Sequence, residues 1–298
     1  MTDLLAALDT ATLSENTRTN YRTYVSTLSK HFDIDLLTVL KQADKSISWI
    51  MKSYGSGDAS KKNMIAAVLA IFKHNKNLEK DLSKPHEKWQ DAYKKLSERL
   101  DDRYKTNKPS DKQNDGYVPF ADIETKRESL PKGSPDRLLL AMYTLIRPLR
   151  GDFNKIRIYT GRMPAKTDEN YIHLTAKDKD SELVLTEYKT AKKNGEYRRN
   201  LPATLVAEIK ASLAKRPRDY LFVKTDGEPF ELANSYVRFA NNTLKRLFGC
   251  PLTLSLVRHS FISSLDFNKL SVAEKEEIAA DMAHTVHMQD KYRFIFNK

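Results

Sequence analysis

The sequence of 298 residues contains a single cysteine, Cys250. One thiol excludes an internal disulfide and favours a reducing compartment. No apolar run approaches the roughly 18–20 residues that a membrane-spanning helix needs. The N-terminal stretch MTDLLAALDTATLSENTRTNY has neither the basic segment nor the small-residue cleavage site of a secretory signal. We therefore expect a soluble intracellular protein.

Several common site motifs are also missing from the sequence. There is no GxxxxGK[ST] phosphate loop, no GxGxxG, no GxSxG nucleophile elbow, no CxxC pair and no HExxH. His284 and His287 stand three residues apart and could share one helix face, but no convincing third ligand accompanies them. We therefore expect no metal site.

What the chain has in excess is positive charge. Its formal net charge is +12 and its pI is near 9.4, a balance that attracts polyanions such as nucleic acid. The segment 188–199, YKTAKKNGEYRR, sets five cations against one acid, Glu196. These cations are Lys189, Lys192, Lys193, Arg198 and Arg199. The pattern fits a solvated hairpin tip as well as a phosphate-contacting loop.

Helical periodicity dominates residues 1–105, where Ser14 is predicted to cap an early helix. Residues 106–118 include TNKPSDKQNDG, a stretch that has no large apolar side chain and contains both proline and glycine. Such a polar, breaker-containing segment predicts a linker between domains. Residues 119–298 then form the second predicted domain.

The second domain mixes both types of secondary structure. Ser134 and Pro135 predict the start of a buried helix. Short β-like runs follow at 155–160, 170–175, 182–188 and 196–202, and helical patterns resume afterwards. Gly195 suits a hairpin turn between the last two runs. The predicted fold is mainly α with a small antiparallel β-sheet, comprising an all-helical N-terminal domain and a mixed α+β domain.

An ordered series of basic residues ends in a tyrosine. It runs through IRPLRGDFNKIRI, YKTAKKNGEYRR, LTLSLVRHSF and MAHTVHMQDKY, and its members are Arg147, Arg150, the lysines of the basic segment, Arg258, His284 and Tyr292. His259 and His287 are interpreted as structural or surface residues. Arg258 falls inside an apolar helical pattern, where burial is costly without an anion or a carboxylate partner. The structural alternative is an Arg–Asp pair with Asp152 or Asp281 as the acid.

In this order, the motifs resemble those of the tyrosine recombinase (phage-integrase-type) family. PLRGDFNKI matches the family's first arginine motif, which selects Arg150 over Arg147. The family's hairpin lysine matches Lys189 in YKT, with Lys192 or Lys193 as alternatives. SLVRHSF matches the HxxRH motif, and MAH followed by KY matches the last motif. The resemblance implies a catalytic set of Arg150, Lys189, Arg258, His284 and Tyr292.

Two positions depart from the family pattern. Ser255 stands where the family usually has a histidine or lysine that assists proton transfer. It is a candidate substitute at that position, able to hydrogen-bond a phosphate oxygen, and the general base stays unassigned. Ala283 replaces the glycine that precedes the motif histidine.

The resemblance implies a site-specific recombinase or integrase that cuts and rejoins DNA through a covalent 3′-phosphotyrosine, without metal, ATP or another cofactor. Tyr292 would be the nucleophile, and the two arginines would stabilise charge on the phosphate. Lys189 would protonate the leaving 5′-oxygen, and His284 would position a phosphate oxygen. The alternatives are a type IB DNA topoisomerase, which shares this chemistry, and a catalytically inactive DNA-binding relative.

The implied partner is double-stranded DNA, bound by a homotetramer on two sites, with no membrane and no small-molecule substrate. Predicted contacts to the DNA backbone are Lys192, Lys193, Arg198, Arg199, Lys61, Lys62 and Arg22. The protein would belong to a mobile element or virus. It would reside with DNA in a prokaryotic cytoplasm, or in the nucleus or viral factory of a eukaryotic host.

Overall fold

The computed structural model describes residues 4–52, 54, 57–75, 77–161, 163 and 167–295, without the side chains of Thr10 and Lys193. The chain forms two compact units, Met1–Thr106 and Asn107–Lys298. It is mainly helical with one small sheet, which confirms the predicted fold class. Within the described ranges, no helix combines the length and apolar character required to cross a membrane.

The described part of the first unit is helical throughout. Its helices are α1 (Ala7–Thr10), α2 (Glu15–Phe32), α3 (Leu36–Lys41), α4 (Ala43–Lys52), α5 (Asp58–His74), α6 (Leu78–Asp81) and α7 (Ser83–Lys105). Ser14 caps α2 as predicted, because its Oγ accepts the Thr17 backbone N–H at 3.3 Å. The core forms where α5 packs on α2 and α7. There Trp89 is fully buried and donates its Nε1–H to the Leu40 carbonyl, so its polar atom is satisfied.

The second unit surrounds a larger apolar core. Its helices are α8 (Asp111–Asp115), α9 (Phe120–Ser129), α10 (Pro135–Thr144), α11 (Ala191–Asn194), α12 (Ala203–Lys215), α13 (Ala233–Phe248), α14 (Leu254–Ser264), α15 (Val272–Asp281) and α16 (Val286–Tyr292), with a 3-10 turn at Asp178–Asp180. Ser134 caps α10 and Pro135 begins it, as predicted. The segment predicted as a linker contains α8, which a capping box between Ser110 and Gln113 stabilises.

The sheet has four short strands, β1 (Arg157–Thr160), β2 (Tyr171–Leu174), β3 (Glu182–Leu185) and β4 (Tyr197–Asn200), in the order β1-β2-β3-β4. Each lies within a predicted run. β2, β3 and β4 pair antiparallel, but β1 pairs parallel with β2, so the sheet is mixed rather than wholly antiparallel. A parallel neighbour requires the chain to return to the same end of the sheet. The path of the connection between β1 and β2 decides this pairing, and strand patterns alone do not reveal it.

The connection from β3 to β4 contains the three lysines of the basic segment identified in the sequence, and Arg198 and Arg199 of that segment lie on β4. The connection contains the single helical turn α11, and Gly195 follows it with φ of +72°, a conformation that favours glycine. The Tyr188 hydroxyl donates a hydrogen bond to the Gly195 carbonyl at 3.0 Å. The loop is therefore closed on itself at its base.

Candidate active site

Arg258 lies in the middle of α14 with only 1% of its surface exposed. Its Nη1 donates to the Pro148 carbonyl at 2.6 Å, and its Nη2 donates to the Met282 carbonyl at 3.2 Å. Burial lowers the pKa of Arg258, and the nearby charge of Arg150 acts in the same direction. Both acceptors are uncharged, so they hold the guanidinium in place without neutralising it.

Arg150 reaches the same place from the loop after α10. Its Nη1 donates to the Ala283 carbonyl at 2.8 Å, and its own carbonyl accepts the Tyr143 hydroxyl at 3.1 Å. At the next residue, Gly151, a Cβ atom would lie 2.1 Å from Val237 Cγ2 on α13. Glycine therefore lets this loop pass close to α13 and fixes where Arg150 begins.

The turn between α15 and α16 presents these carbonyls. Ala283 has φ of +50°, in the left-handed region that non-glycine residues rarely adopt. In this conformation, the Met282 carbonyl faces Arg258 and the Ala283 carbonyl faces Arg150. The glycine of the family pattern would fit this backbone without strain, and alanine occupies it at a cost.

His284 follows directly and contacts Arg258. Its Nδ1 lies 3.1 Å from Arg258 Nη2. Because guanidinium nitrogen can only donate, Nδ1 must be the acceptor, and the imidazole proton sits on Nε2. Burial, with the charges of Arg258 and Arg150, lowers the pKa of His284 to about 3. The Nε2–H is buried and has no hydrogen-bond partner among the described residues, and the same holds for Arg258 Nε.

Tyr292 is the last residue of α16 and packs on both of these groups. The Arg258 guanidinium carbon lies 4.9 Å from its ring centroid, and the His284 ring stacks at 5.5 Å between centroids and 29° between planes. An open cavity of about 490 Å³ reaches His284 and Ala283. A phenol ring, an imidazole N–H and a buried guanidinium therefore meet in one cluster, and His284 is the member of the three that lines this cavity.

Asp152 and Lys189 meet beside this cluster. Asp152 is only 9% exposed and accepts the Lys189 backbone N–H at 3.4 Å. Burial raises the pKa of Asp152, while the Lys189 N–H and the charge of Arg150 oppose that rise. This hydrogen bond connects the start of the loop between β3 and β4 to the segment that contains Arg150. The Lys189 side chain itself is exposed.

Arg147, the alternative to Arg150, has a structural role. It pairs with Asp281 at 2.6 Å and with Glu277 at 3.1 Å. Arg199 also lies 3.2 Å from Asp281. The Arg–Asp pair considered from the sequence therefore exists, but it involves Arg147 and Arg199 rather than Arg258.

The remaining predicted residues of this unit lie outside the cluster. Ser255 is exposed on the first turn of α14, and Lys192 is exposed on α11. Arg198 forms ion pairs with Glu182 at 2.6 Å and with Glu196 at 3.1 Å. The side chain of Lys193 lies outside the described residues.

The three cations predicted in the first unit each contact their own unit. Arg22 pairs with Asp9 at 2.5 Å. Lys61 donates to the Met51 carbonyl at 2.9 Å, and Lys62 lies 5.0 Å from the Tyr93 ring centroid. All three are only partly buried, so their charge remains near the surface.

One further residue, His259, belongs to this cluster. His287 is exposed, whereas His259, which the sequence left open between a structural and a surface role, is buried against Tyr292. The feature of the sequence that could have indicated burial of His259 is its position next to Arg258 in an apolar helical pattern.

Across the described ranges, no three histidine, cysteine or acidic side chains come together in a way that would hold a metal ion.

Comparisons with known proteins give one result of note. No protein-family model and no curated protein matches the chain. Among solved structures, the crystal structure of XerA recombinase is similar, with 14% sequence identity and a TM-score of 0.44. The match covers 99% of this chain and 94% of that chain. Both values are too low to transfer any residue's role from that structure to this one.

Proposed function

We propose that this protein is a site-specific recombinase that cuts and rejoins double-stranded DNA through a covalent 3′-phosphotyrosine at Tyr292. One observation carries the proposal: two buried polar atoms beside a tyrosine ring, Arg258 Nε and His284 Nε2, have no hydrogen-bond partner among the residues that the structure describes. Buried donors of this kind are normally satisfied, so they indicate a ligand that accepts hydrogen bonds. An anion bound against a phenol matches a phosphodiester awaiting attack.

The arginines supply the charge that the reaction needs. Arg150 and Arg258 are held by backbone carbonyls, so their positive charge is available to the non-bridging phosphate oxygens. A guanidinium offers two parallel donors to such oxygens and stays charged throughout the reaction. This is the charge stabilisation that metal ions provide in many other phosphoryl-transfer sites.

His284 completes the anion site as a hydrogen-bond donor. It is neutral when no DNA is bound, with its proton on Nε2, the atom that lacks a partner. A bound phosphate oxygen would accept a hydrogen bond from this N–H, while Nδ1 continues to accept from Arg258. His284 therefore positions the phosphate rather than removing a proton from Tyr292.

The chemical step is a transesterification. The Tyr292 phenolic oxygen attacks phosphorus and releases its proton to solvent, while the bond from phosphorus to the 5′-oxygen breaks. Lys189, whose side chain is exposed, gives its proton to the departing 5′-oxygen. Rejoining reverses these steps when a 5′-hydroxyl attacks the phosphotyrosine. Because one ester replaces another, the step conserves bond energy.

DNA binding in this proposal uses lysines from both units. Lys192 and Lys193 on the basic loop, with Lys61 and Lys62 in the first unit, would contact phosphates and position the duplex. Arg22, Arg198 and Arg199 are already paired with carboxylates, so we expect smaller contributions from them. Exchange of strands between two sites would require a homotetramer.

The direct test is capture of the covalent intermediate. A nicked duplex carrying the recombination site, sought beside the gene for this protein, should yield an SDS-resistant protein–DNA adduct. Tyr292→Phe keeps the ring but removes the attacking oxygen, and should abolish the adduct. Tyr159→Phe is the matched control, because Tyr159 lies on β1 and its hydroxyl donates to Glu169. An adduct that survives Tyr292→Phe would place the nucleophile elsewhere.

A second assay separates the proposal from its relatives. Rapid relaxation of a supercoiled plasmid without a recombination site, by monomeric protein at catalytic amounts, would indicate a type IB topoisomerase instead. Specific DNA binding without any adduct on a nicked site would indicate an inactive relative. Recombinant products from two sites are the expected result.

A further inference from the structure

α14 contacts the chain on both sides of the peptide that follows Tyr292. His259 Nδ1 lies 2.7 Å from the Tyr292 carbonyl, and Ser263 Oγ accepts the Phe294 backbone N–H at 2.8 Å. His259 and Ser263 are four residues apart on a helix, so they lie on the same face. Two backbone groups next to the proposed nucleophile are therefore bound by side chains of one helix.

The protonation of His259 follows from its partner. A carbonyl can only accept, so Nδ1 carries the proton and donates it. The ring is 7% exposed and stacks on Phe294 at 4.1 Å between centroids with 8° between planes. It also contacts the Tyr292 ring at 4.7 Å. Packing on two aromatic rings leaves the imidazole little freedom to turn away from the carbonyl.

The segment that these contacts hold is short. α16 spans only Val286–Tyr292, and its last backbone bond runs from Arg293 N–H to the Gln289 carbonyl. Short helix ends fray when tertiary contacts do not hold them. The carbonyl of Tyr292 would otherwise be one of the unpaired groups at the helix terminus.

α14 also carries Arg258, which immediately precedes His259 in the chain. On an α-helix, adjacent residues point about 100° apart. One neighbour can therefore face the anion site while the other faces the backbone of the tyrosine. The helix thus bears both the guanidinium that would bind phosphate and the imidazole that binds the tyrosine's peptide group.

We propose that His259, assisted by Ser263, is a positioning residue that fixes Tyr292 for attack on a phosphate held by Arg258. This inference rests on the proposed function and adds the element that holds the nucleophile. His259 does not contact the reacting atoms, and its effect passes through the backbone of Tyr292.

The test compares two replacements of His259. His259→Phe keeps an aromatic ring against Phe294 but leaves the Tyr292 carbonyl without its donor. His259→Asn loses ring area but retains an N–H close to the position of Nδ1. We expect similar DNA affinity for both. Adduct formation in a single turnover should fall about 10–100-fold in His259→Phe, because small misplacements of a reacting group are costly. It should recover most of its rate in His259→Asn.

A sulfur-containing substrate separates positioning from proton transfer. In a duplex with a bridging 5′-phosphorothiolate, the leaving thiolate needs no proton. The defect of Lys189→Met, which lacks the proposed acid, should therefore be rescued on this duplex. The defect of His259→Phe should persist, because the nucleophile is misplaced for either leaving group. Ser263→Ala removes the acceptor for the Phe294 N–H and should show the same persistent defect. It tests the positioning role independently if the histidine variant misfolds.

The outcomes distinguish this inference from the proposed function. If the wild-type protein forms no adduct on either duplex, the proposed function fails and this inference fails with it. If the wild type forms the adduct and His259→Phe matches its rate, only the positioning role is refuted. Two other results would also refute the positioning role. One is normal cleavage of the phosphorothiolate duplex by His259→Phe, and the other is a cleavage rate for His259→Asn no higher than that for His259→Phe.

Discussion

The Nη2 of Arg258 lies 3.1 Å from the Nδ1 of His284, and this contact fixes the tautomer of the histidine. Because the guanidinium donates, the imidazole proton is on Nε2, where no described group accepts it. Arg258 thus contributes its charge directly and prepares a second donor for the same ligand.

The first prediction concerns Arg258→Lys. A lysine keeps the charge but has one nitrogen, which cannot reach the Pro148 carbonyl, the Met282 carbonyl and His284 together. Adduct formation should fall by about 10²–10³-fold, as when an oxyanion donor is lost, with DNA binding largely retained. The measurement is single-turnover cleavage of the nicked duplex beside a filter-binding titration.

Arg147→Lys is the matched control for that experiment. Arg147 is paired with Asp281 and Glu277, so its charge is already neutralised within the protein. A lysine can preserve such a pair, and we expect cleavage within a few-fold of wild type. Equal losses in the two variants would show that Arg258 has no special role in the reaction.

The second prediction is a pH dependence of stability that arises from His259. Burial lowers its pKa from 6.5 to about 4. The unfolded chain therefore binds a proton below pH 6.5 that the folded protein rejects, and the free energy of unfolding falls as pH drops toward about 4. The full contribution is present above pH 6.5. Over the window it amounts to at most about 3 kcal/mol.

Urea unfolding at several pH values between about 4 and 7 measures this slope. His259→Asn removes the titrating group and should flatten the dependence. His287→Asn removes an exposed histidine of the same segment and should leave the slope unchanged. A slope that is the same in all three proteins would contradict the assignment. His284, whose pKa is lowered to about 3, acts with the same sign in each of them.

The third prediction compares two buried alanines with different backbones. Ala283 is left-handed and 4% exposed, whereas Ala279 lies inside α15 and is 3% exposed. Ala279→Gly should cost about 2 kcal/mol, from a lost methyl group and lower helix propensity. In Ala283→Gly, relief of about 1–2 kcal/mol of left-handed strain offsets that loss, and we expect a change within about 1 kcal/mol. Denaturant midpoints measure both; equal losses would contradict the strain at Ala283.

Local patterns in the sequence predicted helices, strands and turns, but they did not predict how the strands pair. A few neighbouring residues determine each of two predicted features that the structure contains. These are the helix start at Ser134 and Pro135 and the turn at Gly195. The parallel pairing of β1 with β2 depends on the path of a connection, which strand periodicity does not encode.

The site was predicted by motif order, and its geometry required the structure. The apolar pattern around Arg258 predicted burial but suggested an aspartate or an anion as its partner. The direct protein acceptors are the carbonyls of Pro148 and Met282. Because every residue has a backbone carbonyl, no pattern of side chains could have predicted that these two carbonyls bind Arg258. His259 escaped assignment for the same reason, because it binds the backbone of Tyr292.

The backbone carbonyls of the turn at Met282 and Ala283 affect which amino-acid replacements the site tolerates. Met282 and Ala283 hold two arginines through atoms that every amino acid possesses, so replacement of either side chain leaves these bonds available as long as the turn keeps its path. The side chains at these two positions are constrained for other reasons. Met282 is buried in the core, and position 283 requires a small residue that adopts the left-handed conformation.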